Sequence, residues 1–224
     1  SYNDKAGGIN LIKQVFKYVF KKDGFLALPS APVVGFLKTR KELASPDIQV
    51  HFIPYRVVLK DGKRSLGKEP GITCTINQNR PESKGSIHIK SNDPNEFPSI
   101  KFNFMSNQLD KDTLVDGVKL IRKLMQSAPM KEFCDLEIQP GLDYSSDEDI
   151  LNFIRDKAET VYHPVGTCKM GFDENAVVDK NLKVHGIQGL RIADASIMPT
   201  LISGNTNAAC MMIGERCADF ILNN

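Results

Sequence analysis

Four runs in the first half of the chain alternate apolar and polar residues with period two: Ile48–Ile53, Ile72–Ile76, Ser86–Lys90 and Ile100–Phe104. Strict alternation buries one face of a strand and leaves the other wetter, the habit of antiparallel sheets. Asp61-Gly62, Lys84-Gly85 and Asn92-Asp93-Pro94 supply turn chemistry between the runs. Two helical patterns follow. Residues 110–126 carry Leu114, Val115, Val118, Ile121 and Met125 as an apolar stripe. Residues 146–158 open with Ser146, able to accept from first-turn amides, and three acids at the positive helix end. Strands followed by helices, without βαβ alternation, predict an α+β fold: an antiparallel sheet with packed helices.

Ahead of the strands, Ile9, Ile12, Val15, Phe16, Val19 and Phe20 fall at helical spacing, with lysines opposite and Asp23-Gly24 as the stop. Residues 25–46 are punctuated by Pro and Gly and are expected to be irregular. From residue 161 the texture changes to Gly, Ala, Asn and Met. Gly189–Asp194 is expected to be a short buried strand, followed by a loop and a helix over 206–222 buried at its N-terminal end. The chain is thereby divided at 1–160 and 161–224.

The 224 residues are 41% hydrophobic and 25% charged, ordinary globular proportions. About 70% of the unfolded surface is expected to be buried at this size. Lysine and arginine number 29 against 27 acids, so charge gives no reason to seek nucleic acid or anionic membrane. No apolar run approaches the roughly 20 residues that cross a bilayer, and no signal or transit segment is read at the start. Cys74, Cys134, Cys168, Cys210 and Cys217 form no C-x-x-C pair and are expected to be packed thiols.

Gly62–Lys68 nearly spells a phosphate-binding loop. Glu69 stands where a Ser or Thr hydroxyl is needed and Pro70 opposes the following helix, so the segment is expected to be a β-hairpin tip. Gly7-Gly8 is not a G-x-G-x-x-G turn. No metal-ligand set is found: His163 and Cys168 are close, but no second pair completes a zinc site. Nothing in the spacing supports a Ser203/His163/Asp194 triad. His51, His88 and His185 are assigned no role.

His163 differs. Pro164 biases it toward extended backbone, and Gly166 lets another backbone or a ligand come close. Further on, Ser203-Gly204-Asn205-Thr206-Asn207-Ala208 opens an apolar helix. Its polar residues read equally as an ordinary N-cap or as a prepared anion site.

Tyr162-His163-Pro164-Val165-Gly166-Thr167-Cys168-Lys169-Met170-Gly171, then Val177-Val178-Asp179, Val184-His185-Gly186, Gly189-Leu190-Arg191, Asp194-Ala195-Ser196 and the Ser203–Ala208 run resemble the glucose–methanol–choline (GMC) oxidoreductase family. The insect glucose-dehydrogenase and ecdysone-oxidase branch looks most similar. The likeness is dense over 161–224. Upstream, Gly85–Pro94 and Ile48–Phe52 resemble strands of the family's C-terminal region and substrate domain.

The resemblance implies that 1–160 is mostly the substrate-binding domain and that 161–224 is the catalytic strand–loop–helix of the FAD domain. The family's N-terminal Rossmann part, whose Gly-rich turn holds FAD, is absent from this sequence and is the expected partner. The cofactor implied is FAD; the substrate is a small alcohol, whether sugar, steroid or aryl alcohol; secretion is implied by the branch. His163 matches the family's catalytic base and Asn205 its second active-site position. Tyr162 would lie beside the flavin, Asp194 and Ala195 near the pyrophosphate and ribityl chain, and Thr206, Asn207 and Ala208 near the flavin pyrimidine edge. A non-catalytic binding domain or a lyase on the same fold are the alternatives.

Overall fold

The computed structural model describes residues 1–60 and 63–223. The first helix, α1 (Gly8–Lys21), ends at Lys22, whose left-handed backbone turns its N–H onto the Lys17 and Tyr18 carbonyls. The apolar stripe that predicts this helix does not enter the core. Ile9, Ile12, Phe16 and Phe20 are all more than half exposed, and the Phe16 and Phe20 rings stack on each other.

A strand forms inside the stretch expected to be irregular: β1 (Val33–Leu37). It carries no clear alternation, and its partner makes it a strand. It runs antiparallel to β2 (Ile48–Ile53), Val33 opposite Phe52 and Leu37 opposite Ile48. The strands β3 (Val57–Lys60) and β4 (Lys63–Leu66) pair with each other. The near-phosphate-loop segment, expected to be a hairpin tip, instead supplies one arm of this hairpin through Lys63–Leu66; the turn expected at Asp61-Gly62 falls outside the described residues. The strand β5 (Thr73–Gln78) takes the other edge of β2, so β2 is the middle of a three-stranded sheet. The expected third and fourth runs shorten to β6 (Ser86–His88) and β7 (Ser99–Lys101), which among the described residues pair only with each other. Gly85 lets them meet: a Cβ there would collide with the Lys101 carbonyl oxygen.

Alternation along β2 decides what each face does. Ile48 and Val50 join Ile121 and Ile76 in a core against α2 (Gln108–Met125). Gly117 brings that helix close to β5, since a Cβ there would sit 2.9 Å from Ile76. Asp110 clamps the same helix start to the chain after β5. Its carboxylate accepts from Gln78 Nε2 and the amides of Glu82 and Ser83 at 2.8–2.9 Å. A short helix, α3 (Ala128–Lys131), leads toward α4 (Asp147–Lys157). Ser146 caps α4 as expected, and Asp149 adds the reciprocal bond by accepting from the Ser146 amide. Val115 of α2 packs on Ile150, Leu151 and Ile154 of α4.

The last stretch has its own core of Val178, Leu182, Ile197, Met198, Ile213 and Cys217. It is built from single bridges and turns. The strand expected over 189–194 is absent there: Arg191 makes one bridge with Lys183, and Leu190 is half-exposed. Gly189 takes a left-handed conformation, which breaks the run. Arg191 instead donates to the Asn181 and Phe220 carbonyls. The final helix, α5 (Asn207–Leu222), buries Ile213 and Cys217. Its N-terminal end is not buried as expected; Asn207 and Ala208 are exposed. All five thiols are free.

The accessible surface is 15577 Å², against about 10,000 Å² for a compact monomer of this mass. Burial on folding is thus roughly 57% and not the 70% expected from length. Large apolar side chains are exposed on α1, on the stacked Phe102 and Phe104, and on Met211 and Met212 of α5.

Candidate active site

The segment holding His163 is fixed from both sides. Before it, Tyr162 adopts a left-handed backbone (φ 61°) with its N–H on Thr160 Oγ1 at 3.0 Å. This is an unfavourable conformation for a residue with a bulky side chain. After it, the chain lies along the 194–198 turn. The Cys168 amide donates to the Ser196 carbonyl at 3.0 Å and the Met170 amide to Ile197 at 2.8 Å. Gly166 permits the approach: its φ is 86°, and a Cβ would lie 3.3 Å from the Met198 carbonyl oxygen.

His163 then meets two residues at the start of α5. Its Nδ1 is 2.9 Å from Thr206 Oγ1. Its Nε2 is 2.9 Å from Asn205 Nδ2. The other end of the Asn205 amide is engaged as well, its Oδ1 accepting from Gln49 Nε2 at 3.2 Å. Gln49 is only 6% exposed and belongs to the middle strand β2. Thr206 is 7% exposed, whereas Asn205 is exposed and His163 half-buried. Four polar side chains thus run in one line from the central sheet to the last helix. Arg80 Nε donates to Ser203 Oγ at 2.8 Å and ties the loop before Asn205 to the end of β5.

The structure brings together three of the residues singled out by sequence: His163, Asn205 and Thr206. The Thr206 hydroxyl, expected beside a cofactor, is committed to the histidine. Tyr162 is 76% exposed next to His163. Asp194 is exposed, and its carboxylate accepts from the Ser196 amide at 2.7 Å, capping the turn that contains the half-buried Ala195. Asn207 and Ala208 form an exposed first turn of α5, which has no side-chain cap. Ser203 and Asp194 are bonded to Arg80 and Ser196, so no Ser203/His163/Asp194 triad is assembled. His185 Nε2 lies 3.1 Å from the Gly171 carbonyl, and burial holds the His51 imidazole below the ordinary histidine range. Among the described residues there is no cluster of metal-ligating side chains and no helix long and apolar enough to cross a membrane.

Gln49 escapes sequence reasoning because it occupies the wetter phase of an alternating strand, where a polar residue is unremarkable. The available signal is that Ile48 and Val50 flank it in the buried phase, which places it on the opposite sheet face.

A family model described as GMC oxidoreductase, covering that family's C-terminal part, matches residues 81–214. An oxygen-dependent choline dehydrogenase of Escherichia coli O45:K1 is 44% identical over 187 residues, which is 84% of this chain and 33% of that protein. The formate oxidase of Aspergillus oryzae superposes with a TM-score of 0.86 at 25% identity, over 98% of this chain and 43% of that one. An FAD-dependent oxidoreductase of Chaetomium thermophilum reaches 0.82 at 19% identity, a likeness of fold, over 98% and 44% of the two chains. The chain spans about a third of the length of the curated relatives it matches (33%). These findings do not bear on the insect branch.

Proposed function

Because this chain belongs to the GMC oxidoreductase family, we propose that it forms the substrate-binding and proton-accepting part of an FAD-dependent enzyme that oxidises a small alcohol. The observation that carries the reading is His163, held at Nδ1 by Thr206 and flanked at Nε2 by the Asn205 amide.

An alcohol oxygen placed at the Nε2–Asn205 pair can accept a hydrogen bond from Asn205 Nδ2 while its hydrogen faces the imidazole. The O–H bond breaks and its proton goes to Nε2; the C–H hydrogen leaves with both electrons; the alcohol becomes a carbonyl compound. A base positioned in this way contributes about 10²–10⁴-fold. Thr206 keeps the ring from turning, and Asn205 stabilises the developing alkoxide without titrating.

The residues present fit a flavin. The first turn of α5 has no side-chain cap and exposes Asn207 and Ala208, and such a turn favours an electron-rich ring edge. When bound, FAD supplies the hydride acceptor, flavin N5. Asn207 and Ala208 would hold its pyrimidine edge, Tyr162 would cover the ring, and Asp194 and Ala195 would lie along the ribityl–pyrophosphate arm.

Residues 1–160 supply the substrate wall and 161–224 the proton acceptor in this reading. The remainder of the enzyme is an N-terminal FAD-binding part. The surface excess supports that division, since exposed apolar patches of this extent are otherwise characteristic of interfaces. The test is anaerobic: the full-length enzyme is mixed with choline and with sugar, steroid and aryl alcohols, and the flavin absorbance is followed. Bleaching by at least one alcohol is expected. A flavin that none of them reduces would contradict the reading.

A further inference from the structure

We infer that Gln49 is a positioning residue that decides which nitrogen of His163 is free to take a proton, by orienting the Asn205 amide between them. This rests on the reading of His163 as the base.

Gln49 is well placed to hold an orientation. It lies in the central strand, opposite Phe36 on one side and Asn77 on the other, and it is buried. Its Nε2 donates to Asn205 Oδ1 at 3.2 Å. The carbonyl end of an amide only accepts and its NH₂ end only donates. With Oδ1 engaged by Gln49, the group facing His163 is Nδ2, 2.9 Å from Nε2. A donor at that distance requires Nε2 to be an acceptor, a bare lone pair. The neutral imidazole then carries its hydrogen on Nδ1 and donates it to Thr206 Oγ1, 2.9 Å away.

The opposite orientation propagates equally well. An acceptor at position 49 would draw Asn205 Nδ2 toward the sheet and turn Oδ1 toward His163. Nε2 would then have to hold the hydrogen, Nδ1 would accept from the Thr206 hydroxyl, and no lone pair would face the alcohol. The choice of tautomer is thus made two residues away from the ring, by whether position 49 donates. His51 stands two residues along the same face of β2, and Arg80 is bonded to Ser203 in the loop before Asn205. Both are unchanged in the variants below.

The test uses the full-length enzyme with nitrogen-15-labelled histidine, the His163 signals being identified by their loss in His163→Ala. Above the ring's titration, wild type should show a protonated Nδ1 and a bare Nε2, and Gln49→Glu should reverse them. Hydrogen on Nε2 in the wild type, or an unreversed ring in Gln49→Glu, overturns the proposal. Kinetics give a second readout. Gln49→Glu should lower kcat/KM about 100-fold and move the ionisation limb upward, because a nearby carboxylate favours imidazolium. Gln49→Met, which merely releases the amide, should cost about tenfold. Equal losses in both variants with an unmoved limb would make Gln49 purely structural. If Gln49→Glu does not fold, the wild-type tautomer and Gln49→Met decide. Wild-type turnover in His163→Ala would defeat the base reading alone, because the tautomer reversal is read independently of turnover.

Discussion

The Thr206 hydroxyl lies 2.9 Å from Nδ1 of His163, so the residue before the last helix holds the ring by the nitrogen that faces away from Asn205. Thr206 is buried and its hydroxyl does not cap α5. Replacing it by the near-isosteric valine removes the bond and little else. A hydrogen bond to a group that becomes charged is worth about 1.5–3 kcal/mol, so Thr206→Val should lower kcat/KM about 10- to 100-fold. Thr206→Ser should retain most activity. Steady-state kinetics at matched flavin content check this; a valine variant at wild-type rate would contradict it.

Asp110 predicts an acid-dependent stability. Burial alone would raise its pKa, but bonds from Ser83, Glu82 and Gln78 more than offset this and hold the carboxyl below its ordinary value. A depressed folded pKa contributes stability that is present above the unfolded value, about 4, and lost as pH falls through the lower folded value. Asp110→Asn should therefore destabilise at neutral pH by about 2 kcal/mol and flatten the acid side of the stability curve. Denaturant midpoints measured between pH 7 and pH 3 would show whether the two proteins converge toward acid.

Arg122 predicts a cost that its nearest relative in charge does not relieve. Its Nε and Nη2 grip Glu137 at 2.8–3.1 Å, and the remaining donors reach the Tyr144 and Gly141 carbonyls at 2.7 and 2.9 Å. Lysine cannot reproduce this planar fork. Arg122→Met should cost about 3 kcal/mol by stranding Glu137, and Arg122→Lys should recover less than half of that loss in equilibrium unfolding.

The apolar face of α1 predicts an effect that this chain's own contacts do not contain. Phe20 is 74% exposed. If the N-terminal FAD-binding part covers it, burying such a side chain is worth about 1.5–3 kcal/mol. Phe20→Asp should then destabilise the full-length enzyme by at least that much, as read by thermal unfolding. An unaffected melting temperature would mean the face is uncovered.

Much of this fold could be anticipated where one element specifies itself. The Ser146 cap and the stripe of α2 are local, and both appear as expected. What depends on a partner could not be anticipated. Val33–Leu37 becomes a strand only beside β2, and Gly189–Asp194 fails to become one because Gly189 turns the chain and Arg191 reaches carbonyls from two other segments. The stripe of α1 predicts a helix correctly but not that its face would stay open. At the site, His163 and Asn205 sit in unusual local sequence, and the roles expected of them come from the family resemblance. Their pairing spans 42 positions and Gln49 is 156 from Asn205, distances over which no periodicity carries information.

The central claim is that His163 accepts the substrate proton, and the measurement that tests it most directly is the rate of anaerobic flavin reduction by an alcohol substrate. It compares the full-length enzyme with its His163→Ala variant. The variant should keep its oxidised flavin spectrum and be reduced about 10²–10⁴-fold more slowly. Reduction at the wild-type rate, with flavin content unchanged, would contradict the account.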